Sequence, residues 1–430
     1  LVGSEMCIRD RAMTKRLILA FVFLSWHLVA CSNGDSGISS GLPDKPSAEK
    51  DSPGTETISE EMRVKITGED LYISAKLDAK TDILYWFKKC MFNELFTFYR
   101  VGTIDNNMPT PATLPDASPT SLLNLAYSDN IGPFNITGYG WCGGNHPYLD
   151  EVTQTARNIG YRIYIDGKEI KTDLSTLTKE IKIEVINEIM NPSKADTSSG
   201  KTLLNEILCI ETVNYSIYRN NIQVLVTHEF QNESPVIVQM YYGMQSMFDK
   251  ETHTLTANGK YVDWTVQKDV STFTKKEYPS FRRFIEKSAN AYQSSYLFAD
   301  GLGNHEEISD DDIIFIGNSS NKTYHKIIAD REHKKGDIIH WSGVYTWFKS
   351  PVSDDDDLLC YEGVIDNKKV LFIDCKKSVD RTIQLPVNYT KKSFTIIEKS
   401  KSITITGNKV TAKGLRIVSD GSGSCVITFD

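Results

Sequence analysis

The stretch YRIYIDGKEIK, residues 161–171, indicates the fold class of this chain. Ile163 and Ile165 stand two residues apart before an Asp-Gly pair, and Ile170 follows the pair. Apolar side chains with a period of two lie on one face of a strand, and Asp-Gly favours the positive φ angles of a two-residue hairpin turn. The stretch therefore predicts two antiparallel strands with one buried face.

The same alternation recurs through much of the chain. In residues 64–73, 181–189 and 222–230, isoleucine, valine and leucine alternate with polar side chains, which is typical of half-buried antiparallel strands. Residues 235–248 carry almost no charge and predict a central strand covered on both faces. Beyond residue 350 the strand pattern returns, with a hairpin turn expected at Asn408.

Helical patterns are confined to residues 281–298 and 120–127. No repeat of fixed period is visible, which argues against a propeller or a solenoid. The sequence thus predicts a mainly β protein: a many-stranded antiparallel β-sandwich with a C-terminal β region and few helices.

Composition divides the chain into five segments. Pro351 and the acidic run 354–357 suit either a domain boundary or a long loop, so the last segment is a separate region or a continuation of the body. We interpret 1–12 as an artefact before the natural start, 13–30 as a lipoprotein signal peptide, 31–60 as a flexible linker, 61–350 as the main β-sandwich body and 351–430 as a C-terminal β region.

The leader has the order of a bacterial secretory signal. Lys15 and Arg16 precede the apolar run 17–30, which is shorter than the roughly 20 residues of a membrane-spanning helix. Leu28 to Cys31 resembles the lipobox of bacterial lipoproteins, as in Bacteroidetes-like bacteria. The resemblance implies a diacylglycerol on Cys31, which anchors the protein to a membrane of the cell envelope, and Ser32 favours the outer membrane. An ordinary signal peptide followed by an accidental cysteine is the alternative.

Charge and motifs exclude several functions. The formal net charge is −8, and basic residues form only short pairs, so no surface is expected to follow nucleic-acid phosphates. No GxSxG, HExxH or glycine-rich phosphate loop is present. The acidic segments 299–312 and 353–357 lack the spacing of a calcium loop. The sequence implies no metal, no cofactor and no nucleic-acid partner.

Six cysteines follow Cys31, and none form a CxxC pair: Cys90, Cys142, Cys209, Cys360, Cys375 and Cys425. Isolated cysteines in a large exported chain pair as disulfides or are buried as small apolar side chains. We predict Cys360 and Cys375 as the pair most suited to a disulfide.

The loop GYGWCGGNHPYLD, residues 138–150, has the composition of a binding site. Long irregular loops on a rigid scaffold are where sites tend to be built. Its aromatic rings offer flat apolar faces to a sugar ring, nearby amides and a carboxylate suit hydroxyl groups, and a histidine exchanges protons near neutral pH. The predicted ligand-binding residues are Trp141, Asn145, Tyr148, Tyr139, Asp129 and Asn130, and His146 is the acid or base.

Other interpretations of the loop remain open. Trp141 could fill the core while His146 bonds a carbonyl, or Cys142 could act as a thiol nucleophile if a base lay beside it. His228 and Glu229 are further acid and base candidates, but neighbours on a strand point to opposite faces. His228 shares the apolar face, so a core role is expected for it.

Asn145-His146-Pro147-Tyr148 resembles part of the Asn-His-Ser/Thr-Tyr motif of aldose 1-epimerases. The many-stranded body is similar to the galactose-mutarotase-like super-sandwich, which also occurs in polysaccharide lyases and glycoside hydrolases. The resemblance implies that His146 is a general acid, and no counterpart of the family's upstream histidine or its Glu-x-Gln base is present.

Two functional hypotheses follow. In the first, an envelope-anchored lipoprotein binds a glycan or polysaccharide by aromatic stacking from the glycine-rich loop. In the second, a carbohydrate-active enzyme uses His146 as acid or base with Glu229 or Asp129 as its partner. A structural role in the envelope is the third alternative.

Overall fold

The computed structural model describes residues 58–113, 123–126, 131–247, 253–256, 259–263, 270–273, 283–288, 291–298, 313–316 and 322–429. Asp129, Asn130, the predicted signal peptide, Cys31 and most of the predicted linker lie outside these residues. The described chain consists of antiparallel strands, with single turns of 3-10 helix at Pro192–Lys194 and Val387–Tyr389. None of its helices has the length and apolar character to span a membrane.

The strands are numbered in chain order. The first eleven are β1 (Met62–Thr67), β2 (Asp70–Lys76), β3 (Thr81–Cys90), β4 (Leu95–Asp105), β5 (Leu123–Ala126), β6 (Ile131–Ile136), β7 (Gly140–Gly143), β8 (Ala156–Ile165), β9 (Lys168–Ile170), β10 (Leu174–Thr178) and β11 (Ile181–Met190). The next eleven are β12 (Ala195–Asp196), β13 (Leu203–Leu204), β14 (Ile207–Tyr218), β15 (Asn221–Phe230), β16 (Val236–Met247), β17 (His253–Leu255), β18 (Tyr261–Asp263), β19 (Val270–Phe273), β20 (Arg283–Lys287), β21 (Tyr292–Leu297) and β22 (Ile313–Ile316). The last ten are β23 (Lys322–His333), β24 (Ile338–Phe348), β25 (Ser353–Asp354), β26 (Leu358–Ile365), β27 (Lys368–Cys375), β28 (Val379–Ile383), β29 (Phe394–Lys399), β30 (Ile403–Ile405), β31 (Leu415–Ser419) and β32 (Gly423–Phe429).

A ten-stranded central sheet organises the body, in the order β18-β17-β20-β21-β24-β15-β14-β11-β8-β9. Two six-stranded sheets lie against one face of it. The first sheet has the order β10-β1-β2-β3-β4-β5, and the second sheet has the order β19-β22-β23-β16-β6-β7. Their apolar side chains and those of the central sheet form one core. The prediction of a mainly β, antiparallel sandwich is confirmed.

Aromatic contacts show which face is shared. Tyr215 of β14 contacts Phe87 of the first sheet at a ring distance of 5.4 Å, and His228 of β15 contacts Phe134 of the second sheet at 4.8 Å. Tyr215 and His228 lie on the same side of the central sheet. Tyr215 is the cross-strand partner of Val224, and Val224 and His228 are four residues apart on β15, so their side chains point to the same face. Both outer sheets therefore cover the same face.

The C-terminal region packs on the opposite face. Its main sheet has the order β25-β26-β27-β32-β29, and a smaller sheet β28-β31-β30 lies with it around a second core. Phe348 of β24 stacks on Tyr361 of β26 with ring centroids 4.3 Å apart. Arg283 of β20 forms a buried ion pair with Asp374 of β27, with Nε and Oδ1 2.8 Å apart. Polar and aromatic contacts thus join this region to the central sheet.

The opening hairpin is formed as expected. Ile163 pairs with Ile170 across the turn, and Asp166 and Gly167 have φ angles of 47° and 80°. The face of β15 predicted to be apolar, from Ile222 to Phe230, is buried throughout. These strands have one face on the core and one towards solvent, so their alternation is visible in the sequence.

Four local predictions were wrong. Within the expected helices 281–298 and 120–127, residues 283–287 form β20, residues 292–297 form β21 and residues 123–126 form β5. The alternation of β20 and β21 is hidden because both faces are covered, by β23 on one side and the C-terminal sheet on the other. Residues 235–248 were expected to be buried on both faces, yet Ile237 is 45% exposed and only the second half of β16 is fully covered. The turn expected at Asn408 is not a tight hairpin turn, because Asn408 lies in the long connection 406–414 between the antiparallel strands β30 and β31.

The predicted disulfide is also corrected. Cys360 and Cys375 are free and buried, as are the other four cysteines of the described chain. Cys360 pairs with Ile373 and Cys375 with Leu358. The two thiols are therefore offset by two residues on neighbouring strands, a diagonal separation of about 7–8 Å between Cα atoms, whereas a disulfide needs about 4.4–6.8 Å. Both fill the C-terminal core as small apolar side chains.

Candidate functional site

The glycine-rich loop begins as a hairpin at the edge of the second sheet. β6 and β7 pair through Phe134 with Cys142 and through Asn135 with Trp141. Cys142 is buried in the core, so strand alternation directs its neighbour Trp141 to the outer face. Gly138 and Gly140 have φ angles of 81° and 90°, which a side chain would disfavour. The sequence folds locally so that an indole ring stands outside the core.

We call the rings around Trp141 the aromatic cluster: Trp141, His146, Tyr148, Tyr242 and Tyr324. Trp141 stacks on Tyr242 with centroids 5.6 Å apart and an angle of 23° between the planes. The ring centroid of Tyr148 lies 6.3 Å from that of Trp141 and 5.9 Å from that of His146. The ring centroids of Tyr324 and Tyr242 are 4.2 Å apart.

Exposure differs within the aromatic cluster. Trp141, His146 and Tyr148 are partly exposed, whereas Tyr242 and Tyr324 are buried beneath them. Tyr139, at the hairpin turn beside the aromatic cluster, is 55% exposed. The structure therefore brings four predicted residues, Tyr139, Trp141, His146 and Tyr148, to one edge of the second sheet.

Asn145 is placed differently from the prediction. Its side chain is 3% exposed and points into the protein, and its carbonyl accepts a hydrogen bond from the Phe92 amide at 3.2 Å. The Asn93 amide group donates to the Gly144 carbonyl at 2.7 Å and so holds this part of the loop inward. Asn145 supports the loop from inside, and the bond between Asn93 and Gly144 could not be recognised from the sequence.

Asn145 lines a small internal cavity with Asn187 and Glu211, whose volume is about 10 Å³. Glu211 accepts a hydrogen bond from Asn187 at 2.9 Å and contacts His228 Nε2 at 3.0 Å. Oδ1 of Asn145 has no hydrogen-bond partner. The cavity is close to the volume that one water molecule needs, and its polar side chains Asn145, Asn187 and Glu211 would bind that water.

His228 and Glu229 separate as strand geometry requires. His228 is fully buried against Glu211, which fits its expected core role. Glu229 is exposed on the other face of the central sheet, away from the second sheet that carries His146. The structure does not bring Glu229 to the glycine-rich loop, and Asp129 lies outside the described residues.

The remaining groups of the loop are poor acids or nucleophiles. Complete burial raises the pKa of the Cys142 thiol well above its ordinary value, so the thiolate needed for attack is disfavoured. Hydrogen bonds from the Val152 amide and the Thr153 hydroxyl lower the pKa of Asp150 to about 2. Asp150 is thus held ionised and occupied in a turn.

A buried polar group between the central and second sheets was missed by the sequence reasoning. Burial raises the pKa of Glu286 to about 8, although a hydrogen bond from Thr323 opposes the shift. Gln293 pairs with Glu286 across the strands and donates to Ser246 at 2.6 Å. A single carboxylate inside a segment interpreted as a helix gives no sequence signal for such a site.

The acidic segment 353–357 is neutralised by basic side chains. Asp354 lies 3.0 Å from Lys376, and Asp355 lies 2.7 Å from Arg381. Within the described part of the chain, no group of three or more His, Cys, Asp and Glu side chains is arranged to hold a metal ion.

No protein-family model matches the chain, and no curated protein matches it. Among solved structures, the chain is similar to the GH36 α-galactosidase AgaB from Geobacillus stearothermophilus, at 9% identity and a TM-score of 0.38. The match covers 67% of this chain and 41% of the galactosidase chain. The galactosidase domain of the α-galactosidase-sucrose kinase AgaSK is 9% identical over 64% of this chain and 40% of its own, with a TM-score of 0.35. A polysaccharide lyase is also 9% identical, over 80% of this chain and 45% of its own, with a TM-score of 0.25. The chain spans less than half the length of these proteins, and at TM-scores below 0.5 the likenesses carry no argument.

Proposed function

We propose that this protein is an envelope-anchored lipoprotein that binds carbohydrate without transforming it. The proposal joins two independent features. The leader and Cys31 have the pattern of a lipid-anchored exported protein, and the aromatic cluster offers partly exposed rings at the edge of a rigid sheet.

The orientation of Trp141 is the observation that carries the sugar-binding proposal. Strand alternation places this large ring on the outer face, because the next residue, Cys142, lies in the core. There Trp141 stacks on Tyr242, which fixes its plane before any ligand arrives. A preorganised ring loses little conformational entropy on binding, and Tyr139 and Tyr148 extend the apolar surface beside it.

Binding is favoured over catalysis because three candidate partners of His146 are unsuited to act with it. Glu229 faces the opposite side of the central sheet, Asp150 is held ionised in a turn, and Cys142 is buried. His146 therefore has none of these three groups as a catalytic partner. Its edge contact with Tyr148 suits a role in positioning that ring.

Binding of the full-length protein to a panel of neutral oligosaccharides, measured by isothermal titration calorimetry, tests the proposal. Trp141→Ala should weaken the affinity for the best ligand at least tenfold. Trp86→Ala is a matched control, because Trp86 also stacks on a tyrosine, Tyr72, but on the first sheet.

Three results would contradict the proposal. The first is the absence of binding to every oligosaccharide of the panel. The second is binding that Trp86→Ala abolishes and Trp141→Ala preserves, which would move the site to the first sheet. The third is turnover of a bound sugar that His146→Ala abolishes, because it would replace the binding protein with an enzyme.

A further inference from the structure

A second site lies where the central sheet meets the C-terminal region. An open pocket of about 110 Å³ is bounded by the β14–β15 turn, by the end of β24 with the two residues that follow it and by strands β26 and β27. Its volume is several times the roughly 10–15 Å³ that one water molecule needs. Ligand sites occur preferentially at such junctions between packed units.

Arg219 lines this pocket with an unfavourable backbone conformation and a buried donor that has no partner. It occupies the β14–β15 turn with a φ of 51°, the left-handed region that favours glycine. Nε of Arg219 is buried without a hydrogen-bond partner. Among the described residues no carboxylate lies within ion-pair distance of its guanidinium, although the hairpin would accept a smaller residue at lower conformational cost.

The other charged side chains of the pocket are mostly basic. Lys349 and Lys369 line it with Arg219, against one carboxylate, Glu362. Glu362 accepts a hydrogen bond from the Tyr389 hydroxyl, which occupies part of its hydrogen-bonding capacity. Lys349 is held by Thr81 at 2.8 Å and by Asp78 at 3.6 Å, and Lys369 forms an ion pair with Glu60. Both lysines are thus paired with carboxylates outside the pocket lining, and Arg219 is the cation of the described lining whose charge is left to attract an anionic ligand.

The pocket walls are rigid before any ligand binds. The Asn220 side chain donates to the Trp347 carbonyl at 2.5 Å, and Asn221 Oδ1 accepts from Thr346 at 2.8 Å and from the Val364 amide at 3.1 Å. Gln223 donates to Asp366 at 2.9 Å. These bonds fasten the turn that carries Arg219 to β24 and β26. The backbone at Arg219 is thus held in a fixed position beside the pocket.

We propose that this pocket binds a carboxylate or sulfate group of a small ligand, with Arg219 as its main contact. A guanidinium presents parallel N–H donors that match the oxygen atoms of either group. That the group belongs to an acidic saccharide rests on the function proposed above, whereas the anion site itself does not. The pocket and the aromatic cluster are different sites, so each is tested by its own variants.

Calorimetric titration of the full-length protein at constant ionic strength tests the assignment, with inorganic sulfate, acetate, glucose 6-sulfate, glucuronate and glucose as probes. We expect glucose 6-sulfate or glucuronate to bind at least tenfold more tightly than glucose, and Arg219→Gln to remove that difference. The choice between the two acidic sugars identifies the anion. Arg162→Gln is the matched control, because Arg162 is exposed on β8 and pairs with Glu184 at 3.4 Å.

Arg219→Gly separates binding from folding. Glycine accepts the left-handed φ at this turn, so the variant should keep the thermal midpoint of the parent protein or exceed it while losing anion binding. Equal affinity for glucose and both acidic sugars, or binding unchanged in Arg219→Gln, would overturn the site. Lower thermal midpoints in both Arg219 variants would also overturn it, since Arg219 would then be a structural residue. Binding of inorganic sulfate or acetate alone would support the anion site and overturn the saccharide assignment.

Discussion

Glu286 makes the stability of this protein depend on pH in a direction opposite to that of most carboxylates. Its pKa is about 8 in the folded protein, raised by burial, against an ordinary value of 4.5. Between these values the folded state holds a proton that the unfolded state has released, so stability falls as pH rises. The stabilisation is fully present below about pH 4.5 and is lost as pH passes through 8.

The magnitude follows from the shift. One pKa unit corresponds to 1.36 kcal/mol, so the cost of this carboxyl group grows from about 1 kcal/mol at pH 5 to about 4 kcal/mol at pH 8. Glu286→Gln removes the ionisable group at nearly constant volume, and its amide nitrogen could donate to Oε1 of Gln293, which has no partner. The stability of the variant relative to the parent protein should therefore rise by about 3 kcal/mol between pH 5 and pH 8.

Urea denaturation of both proteins at pH 5, 6, 7 and 8 measures this difference. Glu229→Gln is the control, because Glu229 is exposed on β15 and should leave the pH profile unchanged. Parallel profiles for the parent protein and Glu286→Gln would refute the reasoning, since Glu286 would then have the same pKa folded and unfolded. A stability difference between the two proteins that grows towards acid pH would show that the pKa of Glu286 is lowered in the folded protein, not raised.

Three further predictions concern packing, the interface and the anchor. Gly132→Ala places a Cβ 2.2 Å from the Tyr242 carbonyl oxygen, so it should lower the free energy of unfolding by about 1–3 kcal/mol. Gly160→Ala is the control: the position has open space around it, and the free energy of unfolding should stay within about 0.5 kcal/mol of that of the parent protein. Equal urea midpoints for the two variants would contradict the close packing at Gly132. Arg283→Ala leaves Asp374 buried without its cation and should lower the free energy of unfolding by about 3–5 kcal/mol. Arg416→Ala breaks an exposed pair with Asp380 and should lower it by under about 1 kcal/mol. Similar losses for both variants would contradict a buried ion pair between the central sheet and the C-terminal region. Expression in a bacterium with a labelled fatty acid should label the parent protein and leave Cys31→Ser unlabelled, and an unlabelled parent protein would contradict the lipid anchor.

The sequence predicts this fold where strands have one face on the core and one in solvent. Ile163 and Ile170 reveal their hairpin because the opposite side of that hairpin is polar. The pair β20 and β21 gives no such signal, since Ile285 faces the C-terminal region while Glu286 faces the second sheet. Periodicity detects a contrast between two faces, and buried strands have none.

The candidate site is predictable only in part for a similar reason. Glycines and aromatic residues mark the loop around Trp141, and the alternation with Cys142 orients the ring. The stacking of Trp141 on Tyr242 depends on the sheet order β16-β6-β7, which local sequence does not specify. The inward course of the loop depends on the bonds of Asn93 to Gly144 and of the Phe92 amide to Asn145, and both donors belong to the connection between β3 and β4. Contacts between distant segments are therefore where the sequence interpretation stops.

The most direct test of the sugar-binding proposal is ¹⁹F NMR of the full-length protein labelled with 5-fluorotryptophan, during titration with the neutral oligosaccharide that binds most tightly. Loss of one resonance in Trp141→Phe assigns the ring. We expect the Trp141 resonance to shift in proportion to saturation while that of Trp86 stays fixed. A Trp141 resonance that does not move while the calorimeter records binding would contradict the account.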